Sequence, residues 1–190
     1  RWDEIDNIDS PEFWSDSDFN WIIATAKETD KLVIYDASNG NTIKSVGISG
    51  NKLGELKRPN GVFVIDNLLF VVERDNHRVQ IMKLPEFKPI MTFGDSNLIK
   101  PYGISGFKLD NKIRLYISDN YETMDGDIPP TNKLDERIKI FEINIRNNEF
   151  EVDFIKCFGE TQGNGILKVV ESLYSDFENG ILMIAEEDET

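Results

Sequence analysis

Two sets of residues recur at matching places along this chain and are of types that could do chemistry together. One is a series of pairs, Ala26-Lys27, Arg74-Asp75, Asp119-Asn120 and Glu186-Glu187, each set just after a short apolar run. The other is Asp9, Asn60, Tyr102 and Glu171, each shortly ahead of such a run. Hard oxygen donors converging from several segments are what Ca²⁺ takes, since it accepts 6–8 oxygens in loose geometry. Lys27 and Arg74 beside them would suit an oxyanion such as phosphate. Taken singly, each residue is also what a solvated strand-end turn would hold, so the register between copies carries the weight. Other chemistries lack their parts. A single histidine, His77, and a single cysteine, Cys157, leave no Ser-His-Asp or Cys-His set, no multi-cysteine zinc site and no internal disulfide. Gly40, Gly47, Gly50 and Gly54 lie in a turn-rich stretch without the strand-to-helix setting of a phosphate-cradling loop.

Charge narrows the partners. Of 190 residues, 35 are Asp or Glu and 21 Lys or Arg, a net charge of −14. The long-range field therefore repels nucleic acid and anionic lipid, and collects cations. Hydrophobic residues make up 39 %, enough for a packed core, and no window approaches the ~18 consecutive apolar residues of a membrane span.

The elements that must position these residues form a repeat. Trp21-Ile22-Ile23-Ala24 and Leu32-Val33-Ile34-Tyr35 flank a polar turn; so do Phe70-Val71-Val72 and Val79-Gln80-Ile81-Met82, and Leu115-Tyr116-Ile117 and Ile138-Lys139-Ile140-Phe141. Ile181-Leu182-Met183-Ile184-Ala185 opens a fourth copy. Each copy reads as a hairpin. Ahead of the hairpins lie Asp9-Ser10-Pro11-Glu12-Phe13-Trp14, Pro59-Asn60-Gly61-Val62, Pro101-Tyr102-Gly103-Ile104 and Val170-Glu171-Ser172-Leu173; after them come Ser45-Val46-Gly47, Thr92-Phe93-Gly94 and Cys157-Phe158-Gly159. A unit of ~40–45 residues with four short strands is a β-propeller blade. The third copy is longer because Glu122 to Glu136, with Pro129-Pro130, is inserted at the hairpin tip. The expectation is all-β: residues 1–190 as a single propeller domain, truncated at its C-terminus and covering about three and a half N-terminal blades. The alternative is a four-bladed ring closed by Arg1 to Ile8. Trp2, Trp14 and Trp21 are expected to pack between or beneath blades.

The residues at both ends resemble one family. The segment Glu171 to Glu189, with its turn at Asp176 to Gly180 and its finish Ile184-Ala185-Glu186-Glu187-Asp188-Glu189, is similar to β-propeller phytases. Asp9-Ser10-Pro11-Glu12-Phe13-Trp14 resembles their Asp-Asp-Pro-Ala-Ile-Trp opening, Ala24-Thr25-Ala26-Lys27 their Thr-Thr-Asn-Lys strand end, and Pro101-Tyr102-Gly103 a Val-Tyr-Gly. In the middle, Pro59-Asn60-Gly61-Val62 and Asp75-Asn76-His77-Arg78-Val79-Gln80 look more like NHL-repeat propellers.

The resemblance implies a six-bladed propeller that hydrolyses inositol hexakisphosphate (phytate) with Ca²⁺, exported to the periplasm or secreted, and monomeric. It implies Asp9, Tyr102, Glu171, Glu186 and Glu187 as calcium ligands, and Lys27, Arg74 and the calcium-holding Glu186 as the catalytic set. The partner would be a small phosphate ester, with no nucleic acid and no membrane. The chain departs from the family where Ser10 replaces a second Asp, where Asn60-Gly61 replaces an Asp, and where Asn120 stands for a phosphate-binding Lys. Two other readings stay open: an NHL-like propeller binding a protein or glycan with structural calcium only, and a calcium-dependent lactonase-type hydrolase.

Overall fold

The computed structural model describes residues 5–147 and 149–187; Trp2, Asp188 and Glu189 lie outside the described residues. Among the described residues, fourteen strands form four antiparallel sheets, with three short 3₁₀ turns in the connections. Sheet 1 holds β1 (Ile8–Ser15), β2 (Asn20–Ala26), β3 (Lys31–Asp36) and β4 (Thr42–Val46); sheet 2 holds β5 (Pro59–Ile65), β6 (Leu68–Glu73), β7 (Arg78–Lys83) and β8 (Lys88–Phe93). Sheet 3 holds β9 (Pro101–Leu109), β10 (Lys112–Asp119), β11 (Ile138–Arg146) and β12 (Glu149–Phe158). Sheet 4 pairs β13 (Val170–Asp176) with β14 (Ile181–Glu186). In every sheet the spatial order is the chain order, the meander expected from the repeat.

Local chemistry sets the turns. β5 and β6 are joined by Asp66-Asn67 and β9 and β10 by Asp110-Asn111, with φ of 53° and 54° at the two aspartates. Short polar side chains tolerate this left-handed backbone, and two-residue hairpins demand it. The β3–β4 turn is tied by Asp36, whose Oδ1 accepts from the Ser38 N–H at 2.8 Å and from its hydroxyl at 2.6 Å.

Two compact units divide the chain, one ending at Phe93 and the other beginning at Gly94. In unit 1, Trp14, Trp21, Ile23 and Ile34 of sheet 1 pack with Val62, Leu69, Val71 and Met82 of sheet 2. Trp14 lies 5.2 Å from Trp21 between ring centres, and its indole N–H donates to the Asp66 carbonyl at 3.1 Å. Burial of each such side chain contributes about 1.5–3 kcal/mol. In unit 2, Ile113, Leu115, Ile117, Ile138 and Ile143 are wholly buried in sheet 3, as is Val170 of sheet 4.

One irregularity repeats in all four sheets. In each sheet the register between the first and second strands jumps directly after the first strand's opening residue: between Ile8 and Pro11, Pro59 and Val62, Pro101 and Ile104, and Val170 and Ser172. The extra residue is a β-bulge, which bends the strand and re-aims a side chain. The bulges hold Asp9, Asn60, Tyr102 and Glu171, so these four are equivalent, as the spacing predicts.

Candidate functional site

Strand register decides which residues correspond from sheet to sheet. Ile8 faces Ala26, Pro59 faces Glu73, Pro101 faces Asp119 and Val170 faces Glu186. The next residue along each second strand donates its backbone N–H to the carbonyl just ahead of the first strand. Lys27 donates to Asn7 at 3.4 Å, Arg74 to Arg58 at 3.1 Å, Asn120 to Lys100 at 2.9 Å and Glu187 to Val169 at 3.0 Å. Lys27, Arg74, Asn120 and Glu187 are therefore one column. The pair in sheet 2 is Glu73-Arg74, not Arg74-Asp75, a correction of one residue. Its cause is Val72, which sits where the first and third copies have Thr25 and Ser118 and so lengthens the apolar run used for alignment.

The corrected neighbouring column is Ala26, Glu73, Asp119 and Glu186, and its carboxylates already have structural work. Glu73 Oε2 accepts from the Lys57 N–H at 3.1 Å, and Glu186 Oε1 from the Lys168 N–H at 2.6 Å. Asp119 accepts from the Ile99 and Lys100 N–H groups at 2.9 and 2.6 Å. Each carboxylate thus fastens the loop that leads into its own sheet. Glu73, wholly buried, also receives Arg78 Nε at 2.9 Å and Asn76 Nδ2 at 2.5 Å. Arg78 reaches on to the Asn51 carbonyl at 2.7 Å, and the Gln80 side-chain carbonyl accepts from the Gly54 N–H at 2.6 Å. The Asn76-His77-Arg78-Val79-Gln80 motif is therefore a clamp on the 50–57 loop.

Unit 1 brings Asp9 and Lys27 together. Lys27 Nζ stands 2.8 Å from Asp9 Oδ2, and Asp9 Oδ1 accepts from the Ser10 N–H at 2.9 Å. Arg74 Nε pairs with Asp75 Oδ1 at 2.8 Å, and Arg58 Nη1 with Glu28 Oε1 at 2.7 Å. Asn60 is wholly buried, with neither side-chain amide atom hydrogen-bonded. Its carbonyl accepts from the Thr25 hydroxyl at 2.9 Å, which ties sheet 2 to the tip of β2.

Arg58 was not singled out by its sequence pattern, yet its backbone is unusual, with φ at 44°. Its N–H donates to Asp30 Oδ1 at 2.6 Å. Burial works to raise the Asp30 pKa, but the Arg58 N–H, the Ser49 hydroxyl and the Lys57 ammonium together hold it below its ordinary value. The left-handed region costs a residue with a Cβ about 1–2 kcal/mol, whereas an exposed ion pair such as Arg58–Glu28 returns about 0–1 kcal/mol. The pair alone does not account for an arginine at this place.

Unit 2 contains Tyr102, Glu171, Glu186 and Glu187. Tyr102 and Glu171 are half-buried, and Glu186 and Glu187 exposed. A Cβ on Gly103 would lie 2.3 Å from the Glu171 carbonyl oxygen, so only glycine lets these two bulges approach. Asn120 is a structural residue: its amide donates to the Val170 carbonyl at 3.0 Å and accepts from the Val170 N–H at 2.9 Å. Arg137, opposite Asp119, is buried, stacks 4.4 Å from the Tyr121 ring centre and donates to the Tyr121 carbonyl at 2.7 Å. Burial lowers its pKa, against the pull of Tyr121, Asp119, Glu122 and Glu186. Lys31 and Arg78 open β3 and β7, and Arg137 directly precedes β11, a recurring cation legible in the sequence as the residue before each second apolar run.

The donors named for calcium are all oxygens, the right chemistry for that ion. Among the described residues no three acidic, histidine or cysteine side chains are already grouped as a metal site.

No protein-family model matches the chain, and no curated protein is matched by it. Solved structures do match in shape. A member of the DUF4221 family from Bacteroides vulgatus aligns with 97 % of this chain and 54 % of its own, at 12 % identity and a TM-score of 0.56. An auxiliary nutrient binding protein from Bacteroides thetaiotaomicron aligns with 87 % of this chain and 42 % of its own, at 9 % identity and a TM-score of 0.52. The chain thus spans about half the length of the solved structures it matches. At these identities the likeness speaks for fold alone, and it agrees with the repeated four-stranded meanders: the chain has an all-β, β-propeller-type fold.

Proposed function

We propose that this chain is part of a calcium-dependent phosphomonoester hydrolase of the β-propeller phytase type, six-bladed when complete and acting on phytate. The observation that carries the reading is the column shared by Lys27 and Arg74, two equivalent cations in unit 1 with oxygen donors in the adjacent bulges. Lys27 offers a compact point charge and Arg74 a planar fork. Between them they would orient a phosphate and stabilise the charge that builds on its oxygens during in-line displacement. Asp9, Tyr102, Glu171, Glu186 and Glu187 would hold calcium, which when bound polarises phosphoryl oxygens and lowers the pKa of a coordinated water. No side-chain nucleophile is then needed, which suits a chain whose only histidine, His77, lies exposed in a turn.

Charge supports the same reading. Phytate is a polyanion and this chain carries −14, so cations must locally invert the field before the two can meet. The test is phosphate release from calcium phytate by the protein, with and without a chelator. Chelator-sensitive release supports the reading; calcium-dependent stability without release would favour a binding module with structural calcium.

A further inference from the structure

We propose that Arg58 is a third anion-binding side chain at the tip of unit 1, exchanging Glu28 for a phosphate held by Lys27 and Arg74. The proposal rests on the reading that those two cations take an oxyanion, and it adds a residue that the sequence pattern passed over.

Arg58 is bonded to Arg74 and to the neighbour of Lys27. Its carbonyl accepts the Arg74 N–H at 3.1 Å, and its guanidinium reaches Glu28, the residue after Lys27, at 2.7 Å. Its backbone is held left-handed by the hydrogen bonds to Asp30 and Arg74. Those bonds use main-chain atoms only and would serve any residue. The equivalent place in sheet 1 holds Asn7, also left-handed at φ 49°, and asparagine adopts that region readily. Arginine there bears the strain for the sake of its side chain, and strained residues cluster at ligand clamps.

The guanidinium is also under-used. Nε is buried without a hydrogen-bond partner, although a guanidinium carries five N–H donors. Phosphate offers several oxygens and accepts from arginine bidentately, so it would engage the terminal nitrogens, beginning with the Nη1 that now holds Glu28.

Beside the Lys57–Asp30 pair, this tip holds three more ion pairs between described residues: Lys27 with Asp9, Arg58 with Glu28, and Arg74 with Asp75. The set is a latched anion site, its positive charge covered until a stronger anion displaces the carboxylates. Glu28 is the easiest to displace, because its side chain is 44 % exposed and returns to water.

The experiment is titration of the full chain with inorganic phosphate, comparing wild type, Arg58→Gln and Glu28→Gln, with thermal melting of each. Both substitutions break the same ion pair, so a merely structural role moves phosphate affinity the same way in both. The proposal expects opposite directions: about tenfold weaker binding in R58Q and several-fold tighter binding in E28Q, with melting within a few degrees of wild type. Equal affinities, parallel losses, or no phosphate binding by wild type would overturn it. Phosphate release from calcium phytate, measured alongside, separates the two claims. Turnover unaffected by R58Q removes Arg58 and leaves the hydrolase reading standing. Opposite shifts in phosphate affinity without turnover retain Arg58 and remove the hydrolase.

Discussion

Lys27 and Arg74 are functional candidates because two independent observations make them equivalent: the strand register and the backbone bond each makes to the residue ahead of its own sheet. Arg74→Ala should lower phosphate release by about 10²-fold or more, the scale of removing one charge-stabilising donor, while leaving any calcium-dependent rise in Tm intact. Full activity in that variant would end the phosphate role. A different residue, Glu12, contributes to the pH dependence of stability. Glu12 on β1 is pushed up to about 7 by burial, its neighbour Phe13 N–H pulling the other way. Its folded pKa exceeds the unfolded one, so its stabilising share is full below about pH 4.5 and is lost as pH rises through 7. Allowing for its partial exposure, Glu12→Gln should remove a Tm decline of ~2–4 °C between pH 5 and 8, or about 1 kcal/mol. Thermal melts across that range would check it. At this scale the sequence made Lys27 and Arg74 visible by type, while its spacing set Arg74 one place out of register with Lys27. Arg58 was hidden because its distinguishing mark is a backbone angle, and Glu73 because the extra apolar Val72 shifted the alignment by one.

Strands and hairpins were the most legible level. Short continuous apolar runs separated by polar turns gave the hairpins of sheets 1 to 3, and the Pro-led and Gly-terminated segments fell on first and fourth strands. What the runs did not carry was the bulge at the start of each first strand, since a bulge is a property of pairing and has no composition of its own. The bulges give two structural tests. Gly103→Ala would drive a methyl into the Glu171 carbonyl and should cost about 1–3 kcal/mol, read as a lower Tm; an unchanged Tm would mean that sheets 3 and 4 yield easily there. Glu73→Ala would strand Arg78 in the buried clamp of the 50–57 loop. Breaking a buried pair from one side costs about 3–5 kcal/mol, a fall in Tm on the order of 10 °C for a chain of this size. A fall of only a degree or two would mean that Arg78 finds other acceptors.

For the molecule as a whole, a charge of −14 spread over repeated sheets makes cations part of any encounter with a polyanion. The propeller-type fold is shared with solved structures of which this chain spans about half. Their names bear on the fold alone, so the functional claim stands on the unit 1 cations and on calcium. The most direct test is phosphate release from calcium phytate, followed with and without a chelator. The account predicts release that stops on chelation and returns with added Ca²⁺. Release that ignores the chelator, or calcium-stabilised protein that releases no phosphate, would contradict it.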